Sequence, residues 1–173
     1  MELMQASTIA ALESTGFEVR LIGDVPDDLT PYDVIVMYAY YAVEPHLESL
    51  IREYIYNGGN VVLLSGIPTY FTIHSKTLNT GYDLERIEDW FGASRYRNDG
   101  GYVRVAFDNP FGTSLLTSEV SIFEGSGNAA VSSLRNGAKP IAYYDSGGVF
   151  AFTYEFGDGR VYYQANFHLL ENL

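Results

Sequence analysis

Tyrosines that follow two apolar segments carry the most distinctive side-chain chemistry of this sequence. Tyr38, Tyr40 and Tyr41 come directly after or close behind the apolar run 34–37, and Tyr70 follows the next such run. Aromatic faces stack on sugar rings and other flat ligands, and phenolic hydroxyls add polar contacts. We therefore predict that these rings bind a small molecule, with a sugar as one candidate. Two alternatives are that they fill a pocket or contact a neighbouring domain.

Histidines are the second group that could do chemistry. His74 comes after Tyr70, from where it can approach the same crevice, and we add it to the predicted ligand-binding residues. His46 falls in the first turn of a predicted helix and is expected to be exposed. A metal site needs several ligands at connected spacings, and the three histidines, which include His168, show no such spacing. We expect no metal and no cofactor.

Composition limits the classes of function. The chain has 173 residues and a mass of 19.3 kDa, which suits a single domain spanning residues 1–173. Ten Lys and Arg against 22 Asp and Glu give a net charge of −12, which repels phosphate backbones and anionic lipids. No apolar run is long enough for a membrane span. We therefore expect neither nucleic-acid binding nor membrane insertion.

The absence of Cys and the first residues bear on chemistry and compartment. Without Cys the chain has no disulfide, no thiolate metal ligand and no cysteine nucleophile. The first six residues lack the basic and apolar regions of a signal peptide. The 15 Tyr, 17 Gly and missing Cys nevertheless suit a secreted or surface protein. Since the sequence opens directly into a helix-like stretch, we expect a fragment of a longer chain. The composition favours an extracellular or cell-surface location for it.

The first half of the chain alternates predicted helices and strands. Apolar periodicity predicts helices over 8–14 and 45–56 and strands over 17–22, 34–37 and 61–64. Short apolar strands that alternate with helices imply right-handed crossovers and a parallel sheet. The carboxyl ends of such strands share one edge, so the tyrosine groups should meet there. A strand before the first helix would complete its crossover, and the sequence barely has room for one.

The second half is predicted to be rich in antiparallel strands. A helix over 83–91 places Trp90 in the core, and from residue 96 the apolar period changes to two. This pattern predicts strands over 102–107, 120–123, 140–144, 149–154 and 160–165. Glycine turns at 146–148 and 157–159 join the last three strands into a meander.

Several motifs together resemble the class I glutamine amidotransferase-like superfamily. They are the run 32–37 (YDVIVM), the helix 45–56, the run 58–65 (GGNVVLLS), the run 157–163 (GDGRVYY) followed by His168, and the loop 108–112 (DNPFG). The last of these is similar to a loop of the trehalose-utilisation and β-galactosidase trimerisation branches. The pieces occur in the family's order and cover nearly the whole chain. The resemblance implies a flavodoxin-like three-layer α/β/α sandwich with a mainly parallel central sheet and a β-rich antiparallel C-terminal part.

The same resemblance identifies positions that correspond to the family's catalytic residues. Ser65 matches the nucleophilic Cys on a sharp turn, and His168 matches the catalytic His. A nucleophile elbow needs small flanking residues, whereas Leu63 and Ile67 flank this one. The acid expected two residues after His168 is absent, because Glu171 is displaced by one position.

These departures favour a domain that has lost catalysis. We predict a non-catalytic amidotransferase-like domain that acts as a structural, oligomerisation or ligand-binding module of a larger, carbohydrate-related protein. Its expected partners are other domains of that protein or further copies of the chain, together with a small-molecule or sugar ligand. The alternative is a hydrolase that acts on a carbohydrate or amide substrate through Ser65 and His168.

Overall fold

The fold was analysed in a computed structural model of the chain. The structure describes residues 2–23, 25–38, 45–67, 69, 71–74, 77–80, 84–106, 108, 110, 120–122 and 128–165. Some of these, including residues 71–74, 77–80, 120–122 and 128–129, are described by their backbone alone.

Helices are few and strands are many in the described part. The helical elements are α1 (Glu2–Ser14), α2 (Pro45–Tyr56), a 3₁₀ turn (Leu84–Arg86) and α3 (Glu88–Phe91). The strands are β1 (Val34–Tyr38), β2 (Asn60–Leu64), β3 (Phe71–His74), β4 (Thr77–Thr80), β5 (Ala93–Asp99), β6 (Gly101–Val105), β7 (Val120–Ile122), β8 (Asn128–Leu134), β9 (Lys139–Tyr144), β10 (Val149–Phe156) and β11 (Gly159–Gln164).

Nine of these strands form one mixed sheet. Its main order is β1-β2-β11-β10-β9-β6-β7, and β8 branches from β10 to pair with β5. β1, β2 and β11 are parallel, whereas the other pairings of this sheet are antiparallel. β3 and β4 form a separate two-stranded hairpin. The last strand of the meander thus returns to the centre of the sheet and joins its parallel and antiparallel parts.

The helices α2 and α3 cover one face of the sheet. α2 packs against β2 and β11, α3 packs against β10, and the two helices contact each other. Ile55 of α2 is fully buried, as are Val61, Leu63 and Tyr163 of the strands below it. Burial of apolar side chains between a helix and a sheet is the main force that holds such layers together.

Aromatic rings fill the core where α3 meets the sheet. The rings of Phe91, Phe152 and Tyr163 lie with centroids 5.2 to 5.5 Å apart, two of the three pairs edge to face. Trp90 is completely buried beside them, so its predicted place in the core is confirmed. Gly92, at φ 86°, ends α3 in the left-handed conformation that glycine adopts readily.

The end of α2 touches the start of β11 backbone to backbone. A Cβ atom at Gly159 would lie 2.2 Å from the carbonyl oxygens of both Gly59 and Ile55. The amide of Arg160 also donates a hydrogen bond to the carbonyl of Gly59 at 3.3 Å. No side chain fits between these segments, so residue 159 must be glycine for the helix to pack this closely.

Several predicted elements are confirmed by the structure. The helix over 45–56, the two apolar parallel strands and the antiparallel meander are all present. The helix predicted over 8–14 begins earlier, at Glu2, because the preceding residues are also good helix formers. The helix predicted over 83–91 is divided into a 3₁₀ turn and the short α3, because Ile87 leaves helical geometry at φ −118° and ψ 1°.

The prediction of a strand over 17–22 is wrong for the described structure. These residues form no strand, and none of the described strands pairs with them. Alternating apolar residues make a strand only where another strand accepts their backbone hydrogen bonds. Phe17, Leu21 and Ile22 consequently remain exposed.

The prediction of a mainly parallel sheet is also wrong in the described part. Only β1, β2 and β11 run parallel, and the other described pairings of this sheet are antiparallel. Short turns, such as those between β9, β10 and β11, join antiparallel strands because a parallel connection needs a long crossover. What holds is the coarser prediction, an α/β fold with a β-rich antiparallel C-terminal part.

Candidate functional site at the carboxyl edge of the parallel strands

The carboxyl ends of the three parallel strands lie side by side. Tyr38 of β1 is in register with Leu64 of β2, which is in register with Gln164 of β11. The backbone therefore places Tyr38, at the end of β1, beside the end of β2, which Ser65 follows. This edge of an open sheet is where ligands bind in α/β proteins.

Ser65 adopts a backbone conformation that is rare for its residue type. Its φ is 56°, and it is the only residue other than glycine with positive φ in the described part of the chain. Its amide donates a hydrogen bond to the carbonyl of Gln164 at 2.9 Å, which fixes the turn to the end of β11. Gly66 and Ile67, which follow it, are buried, whereas Ser65 itself is half-buried. A strained turn directly after a strand is the backbone geometry of a nucleophile elbow.

A buried polar pair beside this turn was missed by sequence reasoning. The hydroxyl of Tyr162 donates to the side-chain oxygen of Gln164 at 2.8 Å, and Gln164 is only 2% exposed. Burial raises the pKa of Tyr162 to about 12. The sequence signal that could have revealed this pair is the glutamine at the end of an apolar strand. If such a glutamine is buried, its amide needs a hydrogen-bond partner nearby.

Thr69 is a second buried polar residue that follows β2. It is 0% exposed, and its hydroxyl has no hydrogen-bond partner in the described structure. A buried hydroxyl without a partner costs about 1–3 kcal/mol, so such positions are rare in well-packed proteins.

Most of the predicted site residues lie outside the part that the structure describes. This applies to Tyr40, Tyr41, Tyr70, His168 and Glu171. Tyr38 and His74 are described by their backbone alone, at the ends of β1 and β3. Their proposed meeting with Ser65 therefore stays a prediction.

The other groups that could do chemistry are His46 and the acidic side chains. His46 is exposed in the first turn of α2, as predicted. The described residues contain no group of three His, Asp or Glu placed to hold a metal. In the acidic loop before β1, hydrogen bonds from Thr30 lower the pKa of the exposed Asp28.

A small cleft is found at the opposite end of the strands. Its volume is about 180 Å³, and its lining includes Lys139, Thr153, Glu155 and Arg160. Arg160 and Glu155 form an exposed ion pair at 3.0 Å across neighbouring strands. Exposed pairs of this kind contribute little to stability or binding. The cleft is therefore a weaker candidate than the carboxyl edge.

The chain was compared with known families and structures. No family model matches it, and no curated protein matches it. Solved structures do match. The cytoplasmic protein STM1381 from Salmonella typhimurium LT2 has a TM-score of 0.71 at 12% identity. The match covers 93% of this chain and 75% of the Salmonella protein.

β-Galactosidases are also among the similar structures. The enzyme from Bacillus circulans sp. alkalophilus has a TM-score of 0.61 at 17% identity, covering 83% of this chain and 22% of the enzyme. The enzyme from the Antarctic haloarchaeon Halorubrum lacusprofundi has a TM-score of 0.67 at 21% identity. The match covers 98% of this chain and 25% of the enzyme. The chain thus spans about a quarter of these enzymes' length. At such identities the likeness shows a shared α/β fold.

None of the described helices combines the length and the apolar composition that crossing a bilayer requires.

Proposed function

We propose that this chain is a non-catalytic amidotransferase-like domain that serves a larger, carbohydrate-related protein as a structural, oligomerisation or ligand-binding module. The observation that supports this role is the match of 98% of the chain to 25% of a β-galactosidase. A fold that occupies a quarter of such an enzyme suits an accessory domain. Its partners are then other domains of the parent protein or further copies of the chain.

The flavodoxin-like three-layer sandwich belongs to the same proposal. α2 and α3 provide one layer, and a second helical layer would cover the opposite sheet face. Val36, Val62 and Tyr162 form an apolar row across that face, in register on β1, β2 and β11. The hydroxyl of Tyr162 on that face is already hydrogen-bonded to Gln164 at 2.8 Å, and burial raises its pKa.

The ligand proposed for this module is a sugar at the carboxyl edge. Tyr38, Tyr40, Tyr41, Tyr70 and His74 are the residues proposed to contact it. Stacking on tyrosine rings suits the apolar faces of a pyranose, and the hydroxyls and His74 suit its polar rim.

Calorimetric titration with galactose, mannose and their β-linked disaccharides tests this role. We expect binding of at least one sugar, with a loss of about tenfold in affinity for Tyr40→Ala or Tyr70→Ala. Tyr102→Ala is the matched control, because Tyr102 is 53% exposed on β6 and should leave the affinity unchanged. A chain that binds no sugar and sediments as a monomer at every concentration would contradict both the ligand and the oligomerisation roles.

A second candidate function is hydrolysis of a carbohydrate or amide through Ser65 and His168. The positive φ of Ser65 favours it, because this is the backbone geometry of an elbow nucleophile. In this reaction Ser65 would attack the substrate carbon while His168 accepts the hydroxyl proton, and His168 would return that proton to the departing amine or alcohol as its bond breaks. Water would then release the product from Ser65.

Chromogenic galactosides, esters and anilides provide the test. Turnover above background that both Ser65→Ala and His168→Ala abolish, and that Tyr102→Phe leaves intact, would replace the non-catalytic proposal. Absence of turnover, or turnover that survives Ser65→Ala, rejects this second candidate.

A further inference from the structure

Tyr56 is an exposed aromatic side chain that is held in place at the end of α2. It is 56% exposed, and the centroid of its ring lies 5.6 Å from that of Phe156 in an edge-to-face contact. Gly157 lies against the ring, because a Cβ atom at Gly157 would come within 2.8 Å of Cδ2 of Tyr56. The ring therefore packs on Phe156 and Gly157 and leaves the rest of its surface open to solvent.

Arg52 stands beside Tyr56 on the same side of α2. The two residues are four positions apart, a spacing that makes side chains neighbours on a helix. The Nε atom of Arg52 donates to Oδ2 of Asp89 at 2.7 Å, and the guanidinium carbon lies 5.1 Å from the ring centroid of Phe156. An ion pair and a cation–π contact therefore orient the guanidinium. Its terminal nitrogens make no hydrogen bond to any part of the chain that the structure describes.

Two further polar side chains border the end of α2. Asn57 is the next residue along the chain, and the amide of Asp158 donates a hydrogen bond to the carbonyl of Tyr56 at 3.1 Å. Both residues are exposed, and neither side chain has a hydrogen bond or an ion pair within the described structure. A guanidinium, an amide and a carboxylate with spare hydrogen-bonding capacity thus surround one aromatic ring.

We propose that Tyr56, Arg52, Asn57 and Asp158 form a binding site for a neutral pyranose sugar. The ring of Tyr56 stacks on the apolar C–H face of the sugar. The guanidinium and the amide donate hydrogen bonds to sugar hydroxyls, and the carboxylate accepts them. Because each hydroxyl both donates and accepts, a sugar matches this mixture of groups better than an ion of either sign does.

The small apolar area of the site favours a small ligand over a protein. A stable protein–protein contact buries about 800 Å² on each partner around an apolar centre. Among the described residues of α2, α3 and the turn 157–158, Tyr56 is the one large apolar side chain that is strongly exposed. A single ring matches the area of a single pyranose. The net charge of −12 also disfavours an anionic sugar.

The backbone that carries these groups is well fixed. The amides of Gly58 and Gly59 donate to the carbonyls of Ile55 and Tyr54 at 3.0 and 2.9 Å, and the amide of Asp158 closes the carbonyl of Tyr56. The end of α2 is thereby tied to the turn between β10 and β11. Little ordering is then needed when a ligand binds, which lowers the entropic cost of binding.

The site lies at the amino ends of the parallel strands. β2 begins at Asn60 and β11 at Gly159, directly after the residues of the site. Ser65 follows the carboxyl end of β2, at the far end of the same strand. The pyranose site is therefore independent of the sugar site proposed at the carboxyl edge, and either can fail without the other.

Amide NMR of the whole chain, titrated with methyl β-galactopyranoside and methyl β-glucopyranoside, tests the site. We expect binding of at least one sugar at about 1–10 mM, as suits so small a ligand, with shifts of the amides of 56–59 and 157–159. Tyr56→Ala should weaken this binding by about tenfold, and Asp158→Ala by about fivefold. Tyr56→Phe should retain it, because the stacking ring remains.

Tyr102→Ala is the matched control for the loss of an exposed ring. Tyr102 is 53% exposed on β6, so its removal should leave the binding unchanged. The remaining amide spectrum shows whether each variant is folded, and Asp158→Ala tests the site without altering the ring. The proposal is overturned if neither sugar shifts the amides of 56–59 and 157–159, or if Tyr56→Ala and Tyr102→Ala weaken binding equally.

Two other results would assign the surface differently and also overturn the proposal. Shifts confined to residues 64–66, removed by Tyr40→Ala and retained in Tyr56→Ala, would leave the carboxyl edge as the sugar site. Self-association that rises with protein concentration and is lost in Tyr56→Ala, without any effect of sugar, would identify a second copy of the chain as the partner of this surface.

Discussion

At the residue scale, the carboxyl edge combines a strained backbone with buried polar groups. Ser65 holds a left-handed conformation, and its amide is tied to the carbonyl of Gln164. The side chain of Gln164 in turn accepts the hydrogen bond of Tyr162. Strain of this kind persists only where neighbouring bonds fix the backbone. The turn after β2 and the end of β11 therefore form one unit, and substitutions in either should affect the other.

Substitution of Ser65 should separate backbone strain from side-chain loss. Ser65→Gly should stabilise the chain by about 0.5–1 kcal/mol, because glycine adopts positive φ without steric cost. Ser65→Val should destabilise it by about 1–3 kcal/mol, because a branched Cβ is disfavoured there. Urea unfolding measures the change in the free energy of unfolding for each variant. Equal unfolding midpoints for the two variants would contradict a strained turn.

Tyr162 predicts how stability changes in alkaline solution. Its pKa is near 12 in the folded chain and about 10 when unfolded, so it contributes stability that is complete below pH 10. As pH rises from 10 to 12 the unfolded phenol ionises first, and about 1–3 kcal/mol of this stability is lost. Urea unfolding at pH 9 and pH 11.5 should therefore show a smaller drop for Tyr162→Phe than for the unmodified chain. The same drop in both would contradict the shifted titration.

At the element scale, the sequence predicts parts of the sheet better than their assembly. Residues 34–37 and 61–64 are short apolar runs beside strong helical patterns, and both form the expected parallel strands. β8 was missed because Ala and Ser dominate its sequence and give no apolar alternation. The order of strands was missed because pairing between β2 and β11 joins distant segments, which local periodicity does not encode.

The candidate site was predictable to a similar extent. The position of Ser65 at the end of β2 follows from the apolar run that precedes it. Its positive φ does not, because serine is seldom found in that conformation. Gln164 was overlooked because a glutamine that ends a strand is usually exposed, whereas here it accepts a buried hydrogen bond.

The junction of α2 and β11 makes a test of element packing. Gly159→Ala should destabilise the chain by more than about 2 kcal/mol, because its Cβ would overlap the carbonyl oxygens of Gly59 and Ile55. Gly100→Ala is the matched control, since a Cβ at Gly100 meets nothing within 4 Å. Denaturant unfolding of the two variants gives the comparison. If both substitutions lower the free energy of unfolding by the same amount, the close backbone contact is not required for packing.

At the scale of the whole molecule, excess negative charge acts against compactness. A net charge of −12 on 173 residues produces self-repulsion that salt screens. The melting temperature should therefore rise by several degrees between about 20 mM and 500 mM NaCl. Asp27→Lys, in the exposed acidic loop, should raise the low-salt melting temperature and reduce its dependence on salt. A melting temperature that is independent of salt would contradict the repulsion.

The central place of β11 has a consequence for folding during synthesis. β2 is complete by residue 64. The strand that pairs with its edge opposite β1 is β11, in which Arg160 pairs with Asn60, a hundred residues earlier in the chain. At about 5–20 residues per second, the ribosome needs roughly 5–20 s to deliver that strand. Throughout this interval the nascent chain presents the apolar edge of β2 uncovered. A stalled or prematurely terminated chain should therefore be recognised by chaperones and proteases, and only one translated through β11 should escape them.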